Sequence, residues 1–242
     1  MNYAKLLIGM VGLASLTLTA CNGAPQAVAE DIGTAQQLGL TQNGLTQNGL
    51  TMAALTDPNA RELLKYLVSC ALPASASVDI TVEGIDYSYP GQLGLAPEWG
   101  EDGGSCGKAC QGWVSACVLA RVNYLGLTEN VSVRGANRAL KTTHGERSTY
   151  TSREATYYGN IFTSPQIRYA CLSPDKTQIP RVCGPSIQGC VMDVVGSCED
   201  VCGHARADGS FPDCWSQAGV DEDDAAPGAS EYHGSITVFL KP

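Results

Sequence analysis

From Asp57 onward, apolar and polar residues recur with two different periods, and these periods divide the chain into elements. Asp57 is a good helix N-cap and Pro58 suits the first helical position. Ala60, Leu63, Leu64, Leu67, Val68 and Ala71 then recur at helical spacing, and Pro73 stops the run. The period next falls to two. Val78, Ile80 and Val82, then Ile85, Tyr87 and Tyr89, alternate with polar residues about Gly84, which predicts a β-hairpin with one buried face. A second helix is predicted from about Gly107 to Leu125, with Cys110, Trp113, Val114, Cys117, Ala120 and Arg121 on one stripe and Gly126 as C-cap.

Residues 131–134, 167–171 and 235–240 read as strands. The stretch from Arg138 to Arg153 is polar and shows no clear period, and from Pro174 cysteines and turn residues dominate. The expected fold is one small disulfide-rich α+β domain over residues 57–242. It has two main amphipathic helices, antiparallel strands and a loop-rich, cysteine-rich C-terminal part. Pairing of the last strand back onto the first hairpin would close such a domain.

The segment before this domain has a different character. Lys5 precedes a stretch from Leu6 to Leu18 that is apolar but shorter than a membrane span, as in a secretory signal. It ends in Leu18-Thr19-Ala20-Cys21, an aliphatic residue, two small residues and a cysteine, which resembles a bacterial lipobox. The resemblance covers the first 21 residues. It implies that residues 1–20 are a signal peptide and that Cys21 is acylated, anchoring the protein to a membrane through lipid. Asn22, where an Asp would retain such proteins at the inner membrane, is similar to the outer-membrane default. Residues 21–56 then read as a flexible tether. It contains Gly39-Leu40-Thr41-Gln42-Asn43, repeated from Gly44 and begun again at Gly49, too few coils to bury a core of their own.

The cysteine count bears on the same address. The chain has 11 cysteines, an odd number for an exported protein. Setting Cys21 aside leaves Cys70, Cys106, Cys110, Cys117, Cys171, Cys183, Cys190, Cys198, Cys202 and Cys214, an even set for an oxidising compartment. Ten cysteines allow roughly 900 pairings. Cys70–Cys117 is the preferred one, because both residues lie in amphipathic helices.

Charge narrows the partners. The net charge is −9, which argues against nucleic acid. Residues 121–181 nevertheless carry 9 basic and 4 acidic groups between two acidic flanks. That basic middle either meets an anionic envelope polymer or pairs with the flanks inside the fold, and the second is expected.

Three patterns suggest chemistry. Cys106 and Cys110 open the second helix, where a thiol pKa falls, and His233 lies far downstream just before a strand. The order resembles papain-like peptidases and implies a cysteine hydrolase (peptidase or amidase) using Cys110 and His233. The cysteine spacing departs from that family, and no Asn follows His233 to orient its ring. Cys198, Cys202, His204 and Cys214 have zinc-ligand chemistry, but exported cysteines oxidise first. Asp221-Glu222-Asp223-Asp224 lacks the glycine of a Ca²⁺ loop, and His144 has no mechanistic partner. No catalytic or metal-binding residue is therefore assigned and no cofactor is expected. The general layout resembles cysteine-rich lipoproteins of bacterial envelopes, a resemblance that supplies a location but no activity. The functional expectation is a lipid-anchored envelope protein, a binding or structural module whose partner is an envelope polymer or another envelope protein.

Overall fold

A computed structural model describes residues 53–218 and 229–242, together with the backbone of Thr34–Gln37. The signal segment, Cys21, the pentapeptide repeat and the acidic run 221–224 lie outside the described residues. In chain order the elements are β1 (Thr34–Gln37), α1 (Pro58–Ala71), β2 (Ser77–Val82), β3 (Ile85–Pro90), α2 (Lys108–Ala120), β4 (Glu129–Arg134) and α3 (His144–Thr149). There follow β5 (Ser152–Asn160), β6 (Ile167–Leu172), α4 (Pro180–Cys183), β7 (Asp193–Ser197), α5 (Cys198–Val201), β8 (Cys214–Trp215), β9 (Glu231–Tyr232) and β10 (Ser235–Leu240). Among the described residues no helix is long and apolar enough to cross a membrane.

The molecule is α+β, built on a six-stranded sheet of order β1-β4-β10-β5-β6-β7. Its pairs are antiparallel except β6–β7, which is parallel, so the sheet is mixed. β1 comes from inside the segment expected as a tether and pairs with β4 at one edge. The last strand does not return to the hairpin. β10 lies between β4 and β5, while β2 and β3 form a separate two-stranded sheet.

The helical layer follows the predicted pattern closely. The Asp57 carboxylate accepts from the Asn59 amide at 2.8 Å, and Pro58 occupies the first turn. Buried residues of α1 include Ala60, Leu63, Leu64, Leu67, Val68 and Cys70, and Cys70 is bonded to Cys117 of α2. Glu83 and Gly84, both at positive φ, close the hairpin, as a two-residue turn of matching twist requires. Ile80, Val82 and Tyr89 turn inward, whereas Ile85 at the turn is exposed.

α2 ends at Ala120, short of the predicted Leu125. Beyond it the backbone finds other partners: the Val122 carbonyl accepts from Arg181 Nη1 at 2.8 Å, and the Tyr124 amide donates to the Arg181 carbonyl at 2.7 Å. Tyr124 and Leu125 are exposed, so continuing the helix would bury nothing to offset those bonds.

The polar stretch from Arg138 to Arg153 holds α3 and leads into β5, a strand the pattern did not predict. β5 is buried on both faces. Ala155 and Tyr157 join the core beneath α2, and Tyr158 joins a smaller core on the far side with Cys171, Cys198, Val201, Cys202, Phe211 and Cys214. Val238 faces Ala155 and Phe239 faces Arg153, which leaves Glu154 as the extra residue of a β-bulge. Its carboxylate takes Arg181 Nε on both oxygens at 3.1 Å and Nη2 at 2.6 Å, with both side chains 4% exposed. The Tyr157 hydroxyl donates to the same carboxylate at 3.0 Å.

Two stability experiments follow. Glu154→Ala leaves the Arg181 charge buried without its partner and should cost roughly 3 to 5 kcal/mol in denaturant unfolding, while replacing both residues with Met should cost far less. Cys70→Ala with Cys117→Ala opens a 47-residue loop and should cost about 4 kcal/mol by loop-closure entropy. Opening Cys106–Cys110, separated by 4 residues, should cost clearly less in the same measurement.

Candidate functional site

All ten cysteines after Cys21 are bridged: Cys70–Cys117, Cys106–Cys110, Cys171–Cys198, Cys183–Cys190 and Cys202–Cys214. The helix–helix staple is the pairing preferred from sequence. Two bridges touch one another in the far-side core, where Cys171 Sγ and Cys202 Sγ lie 3.5 Å apart. Cys198, Cys202 and Cys214 thus spend their sulfurs on bridges, and His204 is exposed. His144 opens α3 and is also exposed.

Part of the basic middle is turned inward, where its arginines bond to polar groups of both flanks and to Glu154. Arg121 is buried, donating to Ser69 Oγ at 2.6 Å and Gln92 Oε1 at 2.9 Å, and burial lowers its pKa to about 10. Arg134 donates to the Asp208 and Tyr150 carbonyls and lies 3.6 Å from the Phe239 ring centroid. Arg181 pairs with Glu154 of the same segment. Arg138 and Arg147 remain exposed.

The polar constellation with most chemical content sits on the β8–β9 ribbon. Glu231 of β9 and His233, the residue just after it, flank Tyr232, and both approach the same carboxylate side while Tyr232 turns to the other. Tyr232 packs inward against Tyr158 and Tyr169, with ring centroids 5.9 and 5.7 Å away. Cys214 is opposite Tyr232, which brings the preceding Asp213 alongside His233. The Cys202–Cys214 bridge and a bond from the Gly203 amide to the Asp213 carbonyl, 2.9 Å, hold this side of the ribbon. Asp213 takes a positive φ of 42°.

His233 Nδ1 lies 2.9 Å from Asp213 Oδ1 and 3.4 Å from Glu231 Oε1. The hydrogen bond to Asp213 raises its pKa above 6.5; burial opposes this, and the charges of Glu231 and Asp213 add smaller help. Its imidazole is 73% exposed. A carboxylate on Nδ1 fixes ring orientation and turns Nε2 outward, the arrangement a general base needs.

The sequence reading joined His233 with Cys110, and the fold does bring their segments together. Gly234 abuts the first turns of α2 so closely that a Cβ there would lie 2.6 Å from the Gly112 carbonyl carbon. Cys110, however, is bonded to Cys106. Sequence reasoning missed both carboxylates beside His233, Asp213 and Glu231. Placing Asp213 opposite His233 requires the pairing of β8 with β9, which two-residue strands do not announce in sequence.

No family model, curated protein or solved structure matches the chain.

The raised pKa sets a sign for pH dependence. The charged His233–Asp213 contact contributes fully below 6.5 and is lost as pH rises through the elevated folded value. In EDTA-washed protein, ring-proton NMR should show His233 titrating above 6.5, and Asp213→Asn should bring it down. An unchanged midpoint in that variant would remove Asp213 as the cause.

Proposed function

We propose that the chain is a lipid-anchored protein of the bacterial cell envelope, a non-enzymatic binding or structural module held at the outer membrane through an acylated Cys21. The observation that carries this reading is the complete pairing of the other ten cysteines in five bridges. Bridges of that density belong to oxidising compartments. They leave Cys21 as the odd sulfur, at the position where the lipobox-like motif puts a lipid acceptor.

A protein partner in the envelope is favoured over an anionic polymer. Arg121, Arg134 and Arg181 are engaged inside the fold, which subtracts them from any polyanion surface. Apolar residues are meanwhile exposed on the loop after α2. Leu125 is 70% exposed and Leu127 58%, next to Tyr124, whose ring crowds Gly184 in the loop that carries exposed Ile187. The hydrolase reading gains an orienting Asp213 for His233. The Cys106–Cys110 bridge weighs against it, because an oxidised sulfur is no nucleophile.

Metabolic labelling with an alkyne fatty acid in a bacterial host should mark the wild-type chain and not Cys21→Ala, and the variant should move from the membrane fraction to the soluble one. An unlabelled wild type, or a variant that stays with membranes, would overturn the anchor. A thiol count on the unreduced mature protein should find none free, and a reactive Cys110 would transfer the assignment to the hydrolase.

A further inference from the structure

We propose that Asp213, Glu231 and His233 form a binding site for a divalent transition-metal ion of the zinc class, with water completing the coordination. The inference goes beyond the envelope reading and does not depend on it.

The donor set has the right chemistry. One imidazole nitrogen and two carboxylate oxygens are proper zinc ligands, and three protein ligands plus water make an open site. The three donor atoms lie within 4.8 Å of one another. A tetrahedral ion with ligands at 2.0–2.1 Å spaces its donors about 3.3 Å apart. The Nδ1–Oε1 separation of 3.4 Å already meets that spacing, and the Nδ1–Oδ1 separation of 2.9 Å needs only a small opening. Two acceptors also converge on one ring nitrogen. A neutral imidazole has a single N–H to offer from that nitrogen, so a cation seated among the three atoms satisfies both carboxylates together.

The ligands are placed before any ion arrives. Alternation carried one residue past β9 puts Glu231 and His233 on the same face, and the antiparallel β8–β9 register sets Asp213 beside them. Tyr232 is locked into the far-side core between Tyr158 and Tyr169, which pins the residues on either side of it. The Cys202–Cys214 bridge anchors the Asp213 side, and close packing of Gly234 on Gly112 fixes where His233 leaves the strand. The site also tolerates complete oxidation. A thiolate zinc site and a disulfide compete for the same sulfurs, whereas this nitrogen–oxygen set uses none.

The test is calorimetric titration of the EDTA-washed, unreduced full chain with ZnCl₂. One ion per chain should bind. His233→Ala and the pair Asp213→Asn with Glu231→Gln should each weaken binding by at least about tenfold. Neutralising the acidic run 221–224 with Asp221→Asn, Glu222→Gln, Asp223→Asn and Asp224→Asn should leave affinity within a factor of about three. Ring-proton NMR supplies a second readout, in which the ion should shift His233 and leave His144 and His204 in place. Because the His233 ring is mostly exposed, metal-free His233→Ala should melt close to wild type, which separates loss of a ligand from loss of the fold. No uptake of zinc, binding that persists in His233→Ala, or binding abolished by the change at 221–224 alone would overturn the proposal.

Discussion

The bidentate contact between Glu154 and Arg181, both 4% exposed, is the joint through which the layers of this molecule are connected. Glu154 reaches it only because a bulge in the central strand re-aims its side chain. Arg181 belongs to the short helix that opens the cysteine-rich tail. From there it also holds the Val122 carbonyl at the end of the long buried helix, and its own carbonyl takes the Tyr124 amide. One guanidinium thus ties sheet, helix and tail. Neither charge could remain in the interior without the other, since a lone buried ion costs several kcal/mol.

Around that joint the sheet is covered on both sides by unlike material. One face carries a conventional core of aliphatic side chains under two helices. The other carries a cluster rich in tyrosine and cystine, in which β8, β9 and the four-residue helix α5 have little apolar area to contribute. Elements this short cannot offset their own ordering entropy, so covalent links take the place of buried surface. The Asp213–Glu231–His233 cluster lies on the outer edge of that cross-linked layer, which explains how a ribbon of two-residue strands can hold three polar groups in register.

What could be read from residues alone was whatever depended on one face of one element. The Asp57-Pro58 cap, the hairpin about Gly84 and the Cys70–Cys117 staple each follow from a local periodicity, and the fold contains all three. β5 escaped because Arg153, Glu154 and Thr156 look like solvent residues. Their burial depends on Phe211, Arg181 and Thr237, which are remote in sequence. The end of α2 was misplaced for a related reason, since the bonds of Arg181 to the Val122 carbonyl and the Tyr124 amide just past it are a tertiary effect. At the candidate site only His233 was singled out from the residues, just before a strand, whereas Glu231 and Asp213 become its neighbours through the pairing of β8 with β9, two-residue strands too short to show a period.

β10 is made from residues 235–240, after every other described strand in sequence, yet it lies inside the sheet between β4 and β5. Its neighbours β4 and β5 share no hydrogen-bonded edge with each other, so each waits for this segment before its ladder is complete. The two halves of the sheet, β1-β4 and β5-β6-β7, are therefore joined only through residues 235–240, and losing that one segment would separate them.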